Sequence, residues 1–168
     1  MSYLNLSAKQ RITITALLYI LWVIVFTYFS VLQQKEELYQ KLDHQLEDAA
    51  LLAPLLLPNS LHSSGMNRHD QTSSQNYDNT LSLSDFTDYS DIIYIYTLVL
   101  RDDKLFFTSS SATEEERQSG EGLSSYFDHY DDASPGVYDV FDSKEKAFLE
   151  YTDQWGSFRS VFIPTYSL

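Results

Sequence analysis

From Ile12 to Leu32 the chain runs for 21 residues, ITITALLYILWVIVFTYFSVL, without one charged side chain. As a helix rising about 1.5 Å per residue, this run reaches about 31 Å, the thickness of a hydrocarbon core of about 30 Å. Tyr19, Trp22, Tyr28 and Phe29 supply aromatic rings of the kind found in membrane helices and near their interfaces. A cleaved signal peptide has a shorter apolar core and a small-x-small cleavage site, and YFSVLQQKE is a poor match to one. The pattern therefore predicts an uncleaved membrane anchor. Lys9 and Arg11 lie on its short N-terminal side, which orients that end to the cytoplasm and everything after Gln33 to the outside.

Beyond the apolar run the period changes to that of an amphipathic helix. In QQKEELYQKLDHQLEDAALLAPLLLP, Leu38, Leu42, Leu46, Ala49 and Ala53 fall on one helical face. Pro54 and Pro58 limit the helix, since proline lacks the amide donor and disfavours helix in its predecessor. The stripe serves either to pack on the domain's own sheet or to pair with a second copy as a stalk. His44, among acidic and amide neighbours, reads as a solvated helix residue.

Residues 59–80 are rich in Ser, Asn and Asp and poor in branched apolar side chains, so a mobile loop is expected there. His62 and His69 within it make a weak metal signal. SLSDFTDYS (82–90) offers one short helical turn. Period two then takes over. DIIYIYTLVL (91–100) is apolar on both faces and predicts a central strand, RDDK a turn, and LFFTSSS (105–111) the return strand. ATEEERQSGEG (112–122) reads as an acidic connection that Gly120 and Gly122 keep irregular. After the aromatic-acidic stretch SYFDHYDD, Ser134-Pro135 starts a short helix with Val137, Val140 and Phe141 inward. KAFLEYTD (146–153), a turn at Gln154–Ser157 and FRSVFIPTY (158–166) make a second hairpin. The fold class is α+β.

Charge sharpens this division. All 24 acidic residues lie at or after Glu36, against nine basic ones beyond Gln33. Such a surface repels phosphates, which argues against nucleic-acid partners. The absence of cysteine excludes disulfides and thiolate metal sites. There is no nucleophile–base arrangement and no phosphate-binding glycine loop, so no catalytic role and no cofactor are expected of these residues.

YIYTLVLRDDKLFFTSSSATEEE, YFDHYDDASP and FLEYTDQWGSFRSVFIP, within residues 85–164, resemble the extracytoplasmic PAS-like sensor domain of bacterial receptors, the Cache family. Similar segments occur in membrane histidine kinases and GGDEF-type diguanylate cyclases. The resemblance implies an antiparallel sheet of five strands in the order 2-1-5-4-3, of which strands 1–4 are present here. It further implies that strand 5, a second membrane helix and a cytoplasmic output module follow Leu168, and that strands 1 and 4 have open edges without strand 5. The implied organisation is a cytoplasmic N-terminus (1–11), a transmembrane helix (12–32), a stalk helix (33–58), a flexible polar loop (59–84) and an incomplete sensor domain (85–168). Bacterial inner membrane, a periplasmic sensor and a homodimer joined through the stalk complete the expectation.

A sensor needs an apolar pocket with a few orienting polar groups. The candidate ligand contacts are Tyr94 and Tyr96 on strand 1, Tyr126, Asp128 and Tyr130 in the covering stretch, and Trp155 with Arg159 on the second hairpin. Arg159 suits a small carboxylate ligand through a two-pronged pair, or it pairs with Glu150 or Asp153 across the hairpin. Tyrosines in such positions are more often core side chains with wet hydroxyls than ligand contacts. A different reading gives Asp128, Asp131 and Asp132, with Glu114, Glu115 and Glu116, a divalent cation; an acidic run is also an ordinary solvated face. A third reading is a single-pass envelope scaffold that senses nothing.

Overall fold

The computed structural model describes residues 7–58 and 68–165. His62 and Leu168 lie outside the described residues. Two compact units are formed, Met1–Leu42 and Asp43–Leu168.

Helix α1 (Ala8–Leu56) opens on a reciprocal cap: Gln10 N–H donates to Ser7 Oγ, and Ser7 N–H to Gln10 Oε1. Over its uncharged run the large apolar side chains, Leu18, Trp22, Phe26 and Phe29 among them, are exposed. This helix has the length and composition to cross a membrane. Its backbone is bonded within the helix, as a hydrocarbon environment demands. Helix continues through Pro54 to Leu56.

In the second unit the last turns of α1 become core. Ala49 and Ala53, one turn apart, are 4% exposed and pack with Leu57, Leu83 and Ile95. Leu83 belongs to helix α2 (Ser73–Asp88). Two hairpins follow. β1 (Tyr96–Arg101) pairs antiparallel with β2 (Lys104–Ser110), and β3 (Ala147–Asp153) with β4 (Gly156–Phe162). Between them come α3 (Glu114–Ser119) and α4 (Pro135–Ser143). A second core joins Leu105, Phe107, Tyr130 and Val137. The fold is α+β, with a long N-terminal helix and two separate two-stranded sheets.

The hairpins follow from local chemistry. Asp102 and Asp103 take φ of 49° and 57°, the conformation that a two-residue turn matching strand twist requires. One β-bulge shifts the register between Thr97 and Leu98. The far edge of β2 is sealed by the segment 127–130. Phe107 N–H donates to Asp128 O, Phe127 N–H to Phe107 O and Tyr130 N–H to Leu105 O, at 2.9, 2.7 and 2.9 Å.

Three expectations are corrected. Helix α2 runs from Ser73 to Asp88, through the second half of the stretch given to loop and short turn, of which 59–67 lie outside the described residues; the 84/85 boundary falls inside this helix. The helix is set by a capping box, Thr72 with Gln75, and it buries small polar side chains, Asn79, Thr80, Ser84 and Thr87, beside Leu83. Hydrophobic periodicity is blind to such a face. Similarly, α3 forms where an irregular connection was expected, because Thr113 and Glu116 cap each other and Gly120, at φ 74°, closes the helix in the left-handed region. Finally, strand 1 begins at Tyr96 rather than at Asp91, and it is not central: among the described residues it pairs with β2 alone. Among the described residues no single four-stranded sheet is formed. Both hairpins form, the second with β4 over Gly156–Phe162 where 158–166 was expected, and a helix starts at Pro135 as the pattern placed it.

Ser84, 1% exposed, is the pin of α2. Its hydroxyl donates to Thr80 O at 2.7 Å and accepts from Ala112 N–H at 2.9 Å, just beyond β2. Replacing Ser84 by Ala strands that buried N–H, and thermal or urea melts should show a loss of about 1–3 kcal/mol. An unchanged melt would mean that α2 is not docked through this bond.

Candidate functional site

Arg159, placed on β4, meets α1. Its Nε and Nη2 donate to Asp43 Oδ1 and Oδ2, both at 2.7 Å, a two-pronged pair. Its Nη1 donates to Glu150 Oε1 at 2.9 Å across the hairpin. One helical turn on, Glu47 Oε1 accepts from Lys146 Nζ at 2.6 Å. Phe148 lies beside both cations, 5.8 Å from the Arg159 guanidinium and 5.7 Å from the Lys146 ammonium. The hydrogen bonds from Arg159 hold the Asp43 carboxyl below its ordinary range, and Asp43 in turn raises the Arg159 pKa. The guanidinium offered to a ligand carboxylate is thus engaged by two carboxylates of the protein. The pairing with Glu150 was legible in the sequence. The pairing with Asp43, 116 residues away, was not.

The aromatic candidates separate. Tyr96, Tyr130 and Trp155 come together, with ring centroids 6.3 Å apart for Tyr96–Tyr130 and 6.0 Å for Tyr130–Trp155. Tyr130 is buried, and its hydroxyl donates to Asp153 Oδ2 at 2.6 Å. The Tyr96 and Tyr151 hydroxyls bond at 2.7 Å. Tyr94 donates to Glu116 Oε1 at 2.9 Å and sets its ring against Phe158. Burial, then the bonded carboxylate, pushes the Tyr94 pKa up to about 12; the same causes raise Tyr130. Burial and the neighbouring Tyr151 raise Tyr96. These phenols stay neutral donors across the physiological range. Tyr126 lies apart, beside Phe127 against the first core, and desolvation raises its pKa.

The acidic candidates are also divided. Asp128 Oδ2 accepts from Ser125 N–H and Asp132 Oδ2 from Gln154 N–H, both at 2.7 Å, while Asp131 lies 2.5 Å from His129 Nδ1. Glu116 is taken up in the α3 cap. Among the described residues no group of three His, Cys, Asp or Glu is placed to hold a metal ion.

What the structure adds is a cavity of about 350 Å³ between the two hairpins. One side is β1 and the residues before it, with Tyr94, Tyr96 and Leu98; the other is the end of β4 with Ser160, Phe162 and Pro164. Ala49 and Ala53 of α1 and Val140 and Phe141 of α4 complete the wall. The volume falls within the range of small-molecule sites, about 300–1,000 Å³, and the wall is mainly apolar. Of the proposed ligand contacts, only Tyr94 and Tyr96 reach it.

Comparison with protein-family models, with curated proteins and with solved structures finds no match for this chain.

Replacing Arg159 by Met should cost about 1–3 kcal/mol, since two charge-assisted bonds to a half-buried carboxylate are lost. The pH dependence has a definite sign. A lowered Asp43 pKa contributes stability that is fully present above the ordinary carboxylate value near 3.8 and is lost as pH falls through the lowered value. The difference in melting temperature between parent and Arg159→Met should be constant from about pH 8 to 5 and shrink only below about pH 4. A difference that vanishes already near pH 6 would contradict the clamp.

Proposed function

We propose that the chain is the extracytoplasmic input end of a bacterial membrane receptor, with a PAS-like domain of the Cache type passing its state to the membrane helix. The observation that carries this reading is the double use of α1. Its uncharged part suits a bilayer, and its last turns supply core residues and the Asp43–Arg159 and Glu47–Lys146 pairs to the folded domain. A displacement of the β3–β4 hairpin is therefore felt by the helix through two ion pairs one turn apart. Such a helix gives a sensor its route to an output module across the membrane, a histidine kinase or a diguanylate cyclase in this reading.

The N-terminus is cytoplasmic and the acidic part lies outside the inner membrane, as the Lys9 and Arg11 bias favours. The ligand is small. Because Arg159 is already engaged, a carboxylate ligand would have to displace Asp43 or Glu150 from it. A homodimer fits the exposed Leu38 better than Leu46, which lines the cavity.

Topology is tested by fusing reporters after Leu168 in bacterial cells. A periplasm-dependent reporter should be active and a cytoplasm-dependent one silent; the reverse would defeat the reading. Sensing is tested by thermal shifts of the full chain in detergent against amino acids, organic acids and divalent cations. A saturable rise with one small-molecule class is expected, and no response to any of them would count against a ligand-sensing domain. In membranes, Leu38→Cys should form disulfide-linked dimers on oxidation, and the absence of a crosslink would remove the homodimer.

A further inference from the structure

Beyond the membrane-length run, two large side chains left in solvent stand together. Tyr89, in the turn after α2, is 94% exposed, and Leu52 on α1 is 43% exposed. Both line one open groove of about 590 Å³ between α1 and the stretch 86–92. Leu56, one helical turn beyond Leu52, is also exposed and extends the apolar strip along α1. Single exposed apolar residues are ordinary, whereas a contiguous strip rimmed by polar groups marks a contact surface. The groove contains no residue of the Arg159 clamp, and it shares only Ala49 and Ile92 with the cavity between the hairpins.

The turn that carries Tyr89 is tied down on both sides. Tyr89 N–H donates to Phe86 O at 3.3 Å and Ser90 N–H to Thr87 O at 3.1 Å. The Ser90 hydroxyl donates to Thr87 O at 3.4 Å and accepts from Ile92 N–H at 3.3 Å. Before the turn, Asp88 is held by Arg117 Nη2 at 2.7 Å. A bonded turn therefore displays the ring, and a ring so displayed loses little freedom when a partner covers it. The charge around it has one sign. Asp48, Asp88 and Asp91 line the groove, and no basic side chain does. Arg117 compensates Asp88, whereas Asp48 and Asp91 are exposed and make no ion pair among the described residues. Two uncompensated carboxylates thus stand over an apolar floor.

We propose that this groove docks a short basic and apolar segment of another protein. One large apolar side chain of the partner sits on Leu52 and Ile92 beside the Tyr89 ring, and lysines or arginines flanking it meet Asp48 and Asp91. Charge complementarity selects this occupant. A cationic segment gains attraction at the two open carboxylates, and the field of the whole acidic part steers it inward. A second copy of this chain brings 24 acidic residues against nine basic ones beyond Gln33, and like charges close together oppose that contact. The docked segment also has a consequence for α1. Asp48 and Leu52 stand on either side of Ala49, which packs in the first core, so an occupant bears on the helix where the domain is attached to it. The docking requires neither a small ligand nor the PAS-like fold.

The test uses the full chain in phosphatidylcholine nanodiscs, with empty discs as the blank. The probes are dye-labelled synthetic peptides: a Leu-Phe-Leu centre flanked by lysines, and a control of equal length and charge with serines in place of the apolar centre. Fluorescence anisotropy should show saturable binding of the first, with the control at least about tenfold weaker. Leu52→Ser with Tyr89→Ser should weaken the first peptide about tenfold, and Asp48→Asn with Asp91→Asn about threefold at low salt. Melting temperatures should stay at the parent value, because these four side chains are exposed. Should Leu52→Ser lower the melt, Tyr89→Ser alone carries the apolar arm. Equal binding of both peptides would overturn the proposal, since only the general acidic field would then be at work. Unchanged binding in both groove variants would overturn it as well. Disulfide-linked dimers of Tyr89→Cys in membranes would assign the groove to a second copy and overturn the partner named here. Failure of the ligand panel described above leaves each of these outcomes unaffected.

Discussion

The last turns of α1 are the surface on which the rest of the domain is assembled. Ala49 and Ala53 present so little side chain that α2 and the approach to β1 can close on them, and Leu83 and Ile95 fill the space. One turn earlier, Asp43 holds Arg159 of β4 and Glu47 holds Lys146, just ahead of β3. Small residues give close approach, and two carboxylates at i and i+4 give direction. Hydrophobic contact alone would let the second hairpin slide along the helix, but a two-pronged guanidinium pair fixes its register.

That surface belongs to the same helix whose earlier residues are uncharged for 21 positions. One element therefore carries two kinds of surface, one suited by length and composition to lipid and one packed against the domain. In lipid it needs an apolar surface all round and backbone bonds within the helix. Against the domain it needs a narrow face of alanines and paired charges. The change of pattern from one requirement to the other lies between Leu32 and Asp43. It is the feature on which a receptor reading depends, because a signal that leaves the domain through α1 must pass this stretch.

Much of this was legible in the sequence where a regular period carries the information. The membrane-length helix, both hairpins and the helix at Pro135 follow from charge absence, period two and a proline start. The helices α2 and α3 were legible only through their caps, TSSQ and TEEE followed by glycine, because their buried faces are polar or slight. The tyrosines of the candidate site were read as ligand contacts or as core side chains with wet hydroxyls. Their destinations, Glu116 for Tyr94 and Asp153 for Tyr130, depend on contacts 22 and 23 residues apart that no local pattern encodes. No local pattern singles out Asp43, and its bond to Arg159 across 116 residues belongs to the tertiary fold alone.

The dependence of the domain on α1 is open to a single comparison: thermal melting of residues 34–168 beside residues 59–168. The shorter chain loses Ala49, Ala53 and Leu57 from the first core together with the partners of Arg159 and Lys146. The account predicts a cooperative melt for the longer chain and none for the shorter. Equal, cooperative melting of both would show that the hairpins and α2 fold without the helix, and would contradict the claim that α1 is the base on which they stand.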